Sequence, residues 1–232
     1  MTVPDPRGES GFTLIELMVA TMLGLIVSGA TLAIVISAVH LSSNFGDRVD
    51  ATQEGRTAIS RIVQELDSSC VAATVAPILA TSDANDLWFY SSFGIAAPDA
   101  PTILPNEVEI SYTSNSLVMW ISANTGSGNT PATWTFAAPT KFVLLPNALQ
   151  NGTTPIFQYF GYSGSSLSTT PYAIGAGTLG STNAATTAEV QINFTAEPTD
   201  ANTAQGRPAS FSDAAVLRLS PASSSASNLP CS

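Results

Sequence analysis

Glu16 is the only ionisable side chain between Phe12 and Val39, in the run FTLIELMVATMLGLIVSGATLAIVISAV. An acid in such a stretch is costly in an apolar surrounding and is retained where it meets a partner. Other residues of chemical interest are scattered. Glu107 and Glu109 straddle Val108, so on a strand both face one way. Paired carboxylates are the equipment of glycoside hydrolysis, and a solvated strand face is the plainer reading. Asp83, Asn85 and Asp86 precede an apolar segment. They offer oxygen ligands for calcium and are equally good turn formers. Ser163 lies in GYSGS, which is not the nucleophile-elbow pattern. The one histidine, His40, sits beside the long apolar run, so no Ser-His-Asp set can assemble elsewhere in the chain. Cys70 and Cys231 are the only cysteines, without a CxxC, which excludes a thiolate zinc site. Asn151-Gly152-Thr153 and Asn193-Phe194-Thr195 match a glycosylation sequon too short to be informative. Trp88, Trp120 and Trp134 read as core or edge aromatics before they read as a ligand platform.

The elements that carry these residues are legible. Only 10% of the 232 residues are charged, and the net charge is −10 with Lys141 the sole lysine. Nonspecific binding to nucleic acid or to anionic lipid needs clustered Lys and Arg, and the chain has none. As a helix, the run from Phe12 to Val39 extends about 42 Å, more than the roughly 30 Å of a bilayer's hydrocarbon core. It is too long for a secretory signal, whose apolar core is about 7–15 residues after a basic start. A plain membrane anchor leaves Glu16 without a purpose.

Gly11, Phe12 and the segment GFTLIELMVA closely resemble the type IV prepilin cleavage and methylation motif. The resemblance implies cleavage after Gly11 by a membrane aspartyl peptidase and N-methylation of the new terminus, Phe12. It also implies that Glu16, fifth from that terminus, pairs with the Phe12 amine of a neighbouring subunit during filament assembly. Pairing offsets the cost of each charge inside a packed apolar bundle and sets axial register. Two features depart from the family pattern. The leader is not basic, with Arg7 against Asp5 and Glu9, and no proline kinks the apolar run.

After His40 the pattern becomes amphipathic. Phe45, Val49, Thr52, Arg56, Ile59, Val63, Leu66 and Cys70 recur at helical spacing, with Arg48, Asp50, Gln53, Glu54, Arg61, Gln64 and Glu65 opposite. One helix over residues 12–69, about 85 Å long, is expected, with Gly46 a place for a bend. Strands are predicted at Leu87–Phe93, Val108–Tyr112, Leu117–Ser122, Thr133–Ala137, Lys141–Leu145, Ile156–Tyr162, Glu189–Ala196 and Ala215–Leu219, with a hairpin turn at Ser114-Asn115-Ser116.

The expected fold class is α+β, a long N-terminal helix packed on a β-rich antiparallel head. Its parts are a leader (1–11), a transmembrane or filament-core helix (12–39), an amphipathic stalk (40–70) and the head (71–232). EGRTAISRIVQELDSS, and the Phe157, Tyr159 and Gly164 pattern, resemble PilW-like minor pilins and J-type pseudopilins. The implied function is structural and not enzymatic: a minor pilin or pseudopilin without a cofactor. Its partners would be other pilins, the prepilin peptidase and the inner-membrane assembly platform. The implied location is the cytoplasmic membrane, with the head outside the cytoplasm, followed by the pilus or pseudopilus. A membrane-anchored adhesin is the alternative of another class. For an exported chain a Cys70–Cys231 disulfide is expected to tie the polar tail to the stalk. Otherwise Cys70 is a buried small residue and Cys231 a free thiol.

Overall fold

The computed structural model describes residues 12–69, 75–91, 105–126, 131–174, 177–198 and 208–217. Two compact units are present, Met1–Gly46 and Asp47–Ser232. Helix α1 runs from Leu14 to Asp67 without a break at Gly46. The predicted helix therefore stands, and so does the α+β class.

In the first unit the helix buries nothing. Leu14, Ile15, Leu25 and Ile34 are all at least 69% exposed, and the most apolar 18-residue window has mean hydropathy 2.3. A helix apolar on every side is one made for lipid or for a bundle of other helices.

In the second unit the helix buries Ala51, Gly55, Ala58, Ile59, Ile62, Glu65 and Leu66. This corrects the predicted face, which ran through Phe45, Val49 and Arg56; Phe45 and Val49 are 62% and 51% exposed. Small residues decide the difference. Ala51, Gly55 and Ala58 form a shallow stripe that admits close packing, whereas bulkier positions at the same spacing stand off. A Cβ on Gly55 would collide with the ring of Phe211. Glu65, expected among the solvated positions, is 2% exposed. It pairs with Arg61 at 2.6 Å and accepts a hydrogen bond from Ser91 Oγ at 3.3 Å.

Two antiparallel sheets complete this unit. The first has the order β1 (Asp86–Ser91), β2 (Asn106–Thr113), β3 (Ser116–Ser122), β4 (Thr140–Leu145). Its apolar face carries Leu87, Phe89, Val108, Ile110 and Met119 into a core shared with Ile59, Ile62 and Leu66. The β2–β3 hairpin turns on Ser114 and Asn115, both at positive φ (49° and 56°), the two-residue geometry that matches strand twist.

The second sheet is built around β8 (Thr187–Ala196). One edge of β8 pairs with β6 (Phe157–Ser163) and, near its end, with β5 (Ala148–Leu149); the other pairs with β9 (Ala209–Val216). The short β7 (Ser166–Leu167) closes a hairpin on β6. Tyr159 is fully buried and donates its hydroxyl to the Asp83 carbonyl at 2.8 Å, tying β6 to the turn before β1. Burial pushes its hydroxyl well above the usual tyrosine range, with the Asp83 charge adding to the shift.

Two strand predictions need correction. Thr133–Ala137 is no strand: Pro131–Thr133 forms a single 3-10 turn, and Phe136 makes one isolated bridge to Asn124. Pro131 and Pro139 bracket the segment and supply no amide hydrogens for a ladder. The last strand starts at Ala209, earlier than the predicted Ala215, because the pairing of β9 with β8 carries its polar residues along. A short helix α2 (Gly180–Thr186) stands where none was expected. Phe93 and Leu219, ends of predicted strands, lie outside the described residues.

Candidate functional site

The site with the most chemical content is the start of α1. Thr13 precedes the first helical residue, Leu14, and Glu16 stands three positions after it. The Thr13 hydroxyl accepts from the Glu16 backbone N–H at 3.4 Å. In return Glu16 Oε2 accepts from the Thr13 N–H at 3.2 Å and from its hydroxyl at 3.0 Å. This is a reciprocal capping box, which satisfies amides that the first helical turn leaves without partners. The T-x-x-E spacing of Thr13 and Glu16 is the sequence signal from which this box can be read.

The arrangement has two consequences. The helix begins at Leu14, so the Gly11–Phe12 bond precedes it and Phe12, 83% exposed, stands at its threshold. The Glu16 carboxylate lies at the positive end of the helix dipole, where a negative charge is favoured. Among the described residues its hydrogen bonds all run to Thr13. Gly11 itself lies outside the described residues.

The remaining candidates belong to the second unit. Asp83 Oδ1 accepts from the backbone amides of Asn85 (2.7 Å) and Asp86 (2.8 Å). The trio is thus built as a side-chain-capped turn leading into β1. Among the described residues no group of three or more acidic, histidine or cysteine side chains is placed to hold a metal. Ser163 is exposed at the β6–β7 turn. Asn193 is 4% exposed and hydrogen-bonded to Ser212 at 2.8 Å, so that sequon is closed by burial. Cys70 and Cys231 both lie outside the described residues.

Glu107 and Glu109 do share one face of β2, as expected. Burial pushes both carboxyls above the ordinary range, and for Glu109 the charges of Asp86 and Glu107 add to it. Trp88 on β1 and Trp120 on β3 are half-buried, one on each side of β2, while Trp134 is buried.

Comparison with known families gives one match. A model of the prokaryotic N-terminal methylation motif covers residues 6–32, which include Gly11, Phe12 and Glu16. No curated protein and no solved structure matches the chain.

Proposed function

We propose, from the N-terminal methylation motif matched over residues 6–32, that the chain is a type IV pilin-like protein, specifically a minor pilin or pseudopilin, a structural subunit of a type IV pilus or related pseudopilus. One observation carries the reading. A Phe12 threshold and a capped Glu16 stand at the head of a helix whose first unit exposes apolar side chains on every side. Such a surface needs a covering, first the bilayer and then the helices of neighbouring subunits.

Prepilin peptidase would cut at Gly11-Phe12, and the freed amine would be methylated. In the filament that amine would meet Glu16 of an adjacent subunit. The inner-membrane assembly platform is the partner for extraction, and the head would lie outside the cytoplasm.

Mass spectrometry of the mature protein from its host tests the proposal. A chain that begins with N-methylated Phe12 is the expected result. A mature chain that begins at Met1, or is cut near Ala30, overturns it.

A further inference from the structure

The outward face of the first sheet carries a cleft that owes nothing to the N-terminal motif. Cross-strand register places Trp88, Glu109, Trp120 and Lys141 in one transverse row through all four strands. The next row is Tyr90, Glu107 and Ser122. The segment after the 3-10 turn folds over this second row. Phe136 stacks on Tyr90 at 5.6 Å and Trp134 meets the same ring edge-on at 5.0 Å. What remains open is a cleft of about 330 Å³ walled by Trp88, Trp120, Phe136, Glu107, Glu109 and Ser122. That volume lies at the lower end of small-molecule sites.

Its walls have a definite chemical character. Among the described residues neither Glu107 nor Glu109 has an ion pair or a hydrogen bond from a side chain. Burial acts against both ionised forms, and for Glu109 the charges of Asp86 and Glu107 add to it. The Tyr90 hydroxyl is pushed up as well, by burial and then by the charge of Glu107. An incoming positive charge would relieve all of these at once. The rings favour the same charge. The Lys141 ammonium already stands 5.4 Å from the centre of the Trp120 ring, so this indole attracts a cation within the fold itself.

A hard metal ion is a poor match. Calcium takes about six to eight oxygen ligands, and here two carboxylates and one hydroxyl are surrounded by carbon. A charge spread over an organic group satisfies both kinds of wall.

We propose that this cleft binds a small organic cation, an ammonium group held among Trp88, Trp120 and Phe136 with its charge against Glu107 and Glu109. Loops and strands of the head would then do more than pack on the stalk; they would give the protein a recognition site.

The test uses the full chain purified in an uncharged polyoxyethylene detergent, with binding followed by tryptophan fluorescence and calorimetry. Choline supplies a quaternary ammonium and N-acetyl-lysinamide a primary one, as a polypeptide would present it. The probe 3,3-dimethylbutan-1-ol copies the shape of choline without its charge, and N-acetylglucosamine represents a neutral sugar.

Saturable binding of either ammonium is expected, at least about tenfold tighter than the uncharged isostere, and the tighter of the two names the source. The paired variant Glu107→Gln with Glu109→Gln should lose about tenfold or more in affinity while its circular dichroism is unchanged. Trp88→Leu, altered outside the core, should weaken binding independently. Equal binding of choline and its isostere overturns the proposal. Binding of the sugar alone, no binding of any probe, or full affinity in the folded double glutamine variant does so too.

Discussion

Glu16 Oε2 accepts hydrogen bonds from both the backbone N–H and the hydroxyl of Thr13, so the acid in the apolar run caps its own helix. A residue expected to serve a neighbouring subunit thus has an occupation inside its own. Two variants separate the roles. Glutamine at this position can still close a capping box, whereas alanine cannot. If the charge is what assembly uses, Glu16→Gln and Glu16→Ala enter filaments equally poorly, by about tenfold or more, since an amine among apolar helices without its counter-charge is costly. If the cap is what matters, Glu16→Gln enters normally and Thr13→Ala, which costs about 1 kcal/mol of helix start, does not. Immunoblots of sheared filaments against membrane fractions read the outcome.

The Arg61–Glu65 pair has one member in solvent and one in the core, with side-chain exposures of 45% and 3%. Removal of Arg61 leaves a buried carboxylate with Ser91 as its remaining side-chain donor. Arg61→Ala is therefore expected to destabilise the second unit by about 1–3 kcal/mol, the cost of a buried group left short of partners. Glu65→Gln, which keeps the shape and drops the charge, should cost less. Urea denaturation midpoints of the two variants check the order.

Gly55 meets the ring of Phe211 where a side chain would stand. Gly55→Val gains helix propensity yet overpacks the contact, for an expected net loss of about 1–3 kcal/mol. Phe211→Ala costs stability alone, but in the Gly55→Val background it should restore part of the loss. A double-mutant cycle with coupling near zero would show that the contact is not tight.

Glu107 and Glu109 lead to a pH dependence of definite sign. Their carboxyls are raised above the ordinary glutamate range in the folded state, so between the ordinary value and the raised one the folded state holds more protons than the unfolded. Stability from these two groups is accordingly greatest at low pH and is lost as pH rises through the folded-state values. Replacement of both by glutamine should stabilise the protein at neutral pH and flatten this part of the profile. Thermal melts from pH 4 to pH 8 measure it; a steeper loss toward neutrality in the variant contradicts the assignment.

The long helix, the hairpin at Ser114 and Asn115, and most strands could be read from the residues because each rests on local periodicity or turn chemistry. The methylation motif was equally legible, since Gly11, Phe12 and Glu16 are fixed by spacing along one segment. What the chain order did not reveal depends on contacts across it. Glu65 reads as a surface residue until β1 brings Ser91 to it. The helix face turned inward runs through Ala51, Gly55 and Ala58, and at Gly55 it leaves room for Phe211, far along the chain. Trp88, Glu109, Trp120 and Lys141 are unremarkable in four separate strands. Their alignment into one row is a matter of register, set by the pairing of strands and by the core beneath them. Sequence alone determined which segments are helix and sheet and where the N-terminal chemistry lies; tertiary structure decided which side chains of the head face one another, because cross-strand neighbours are fixed by burial and not by distance along the chain.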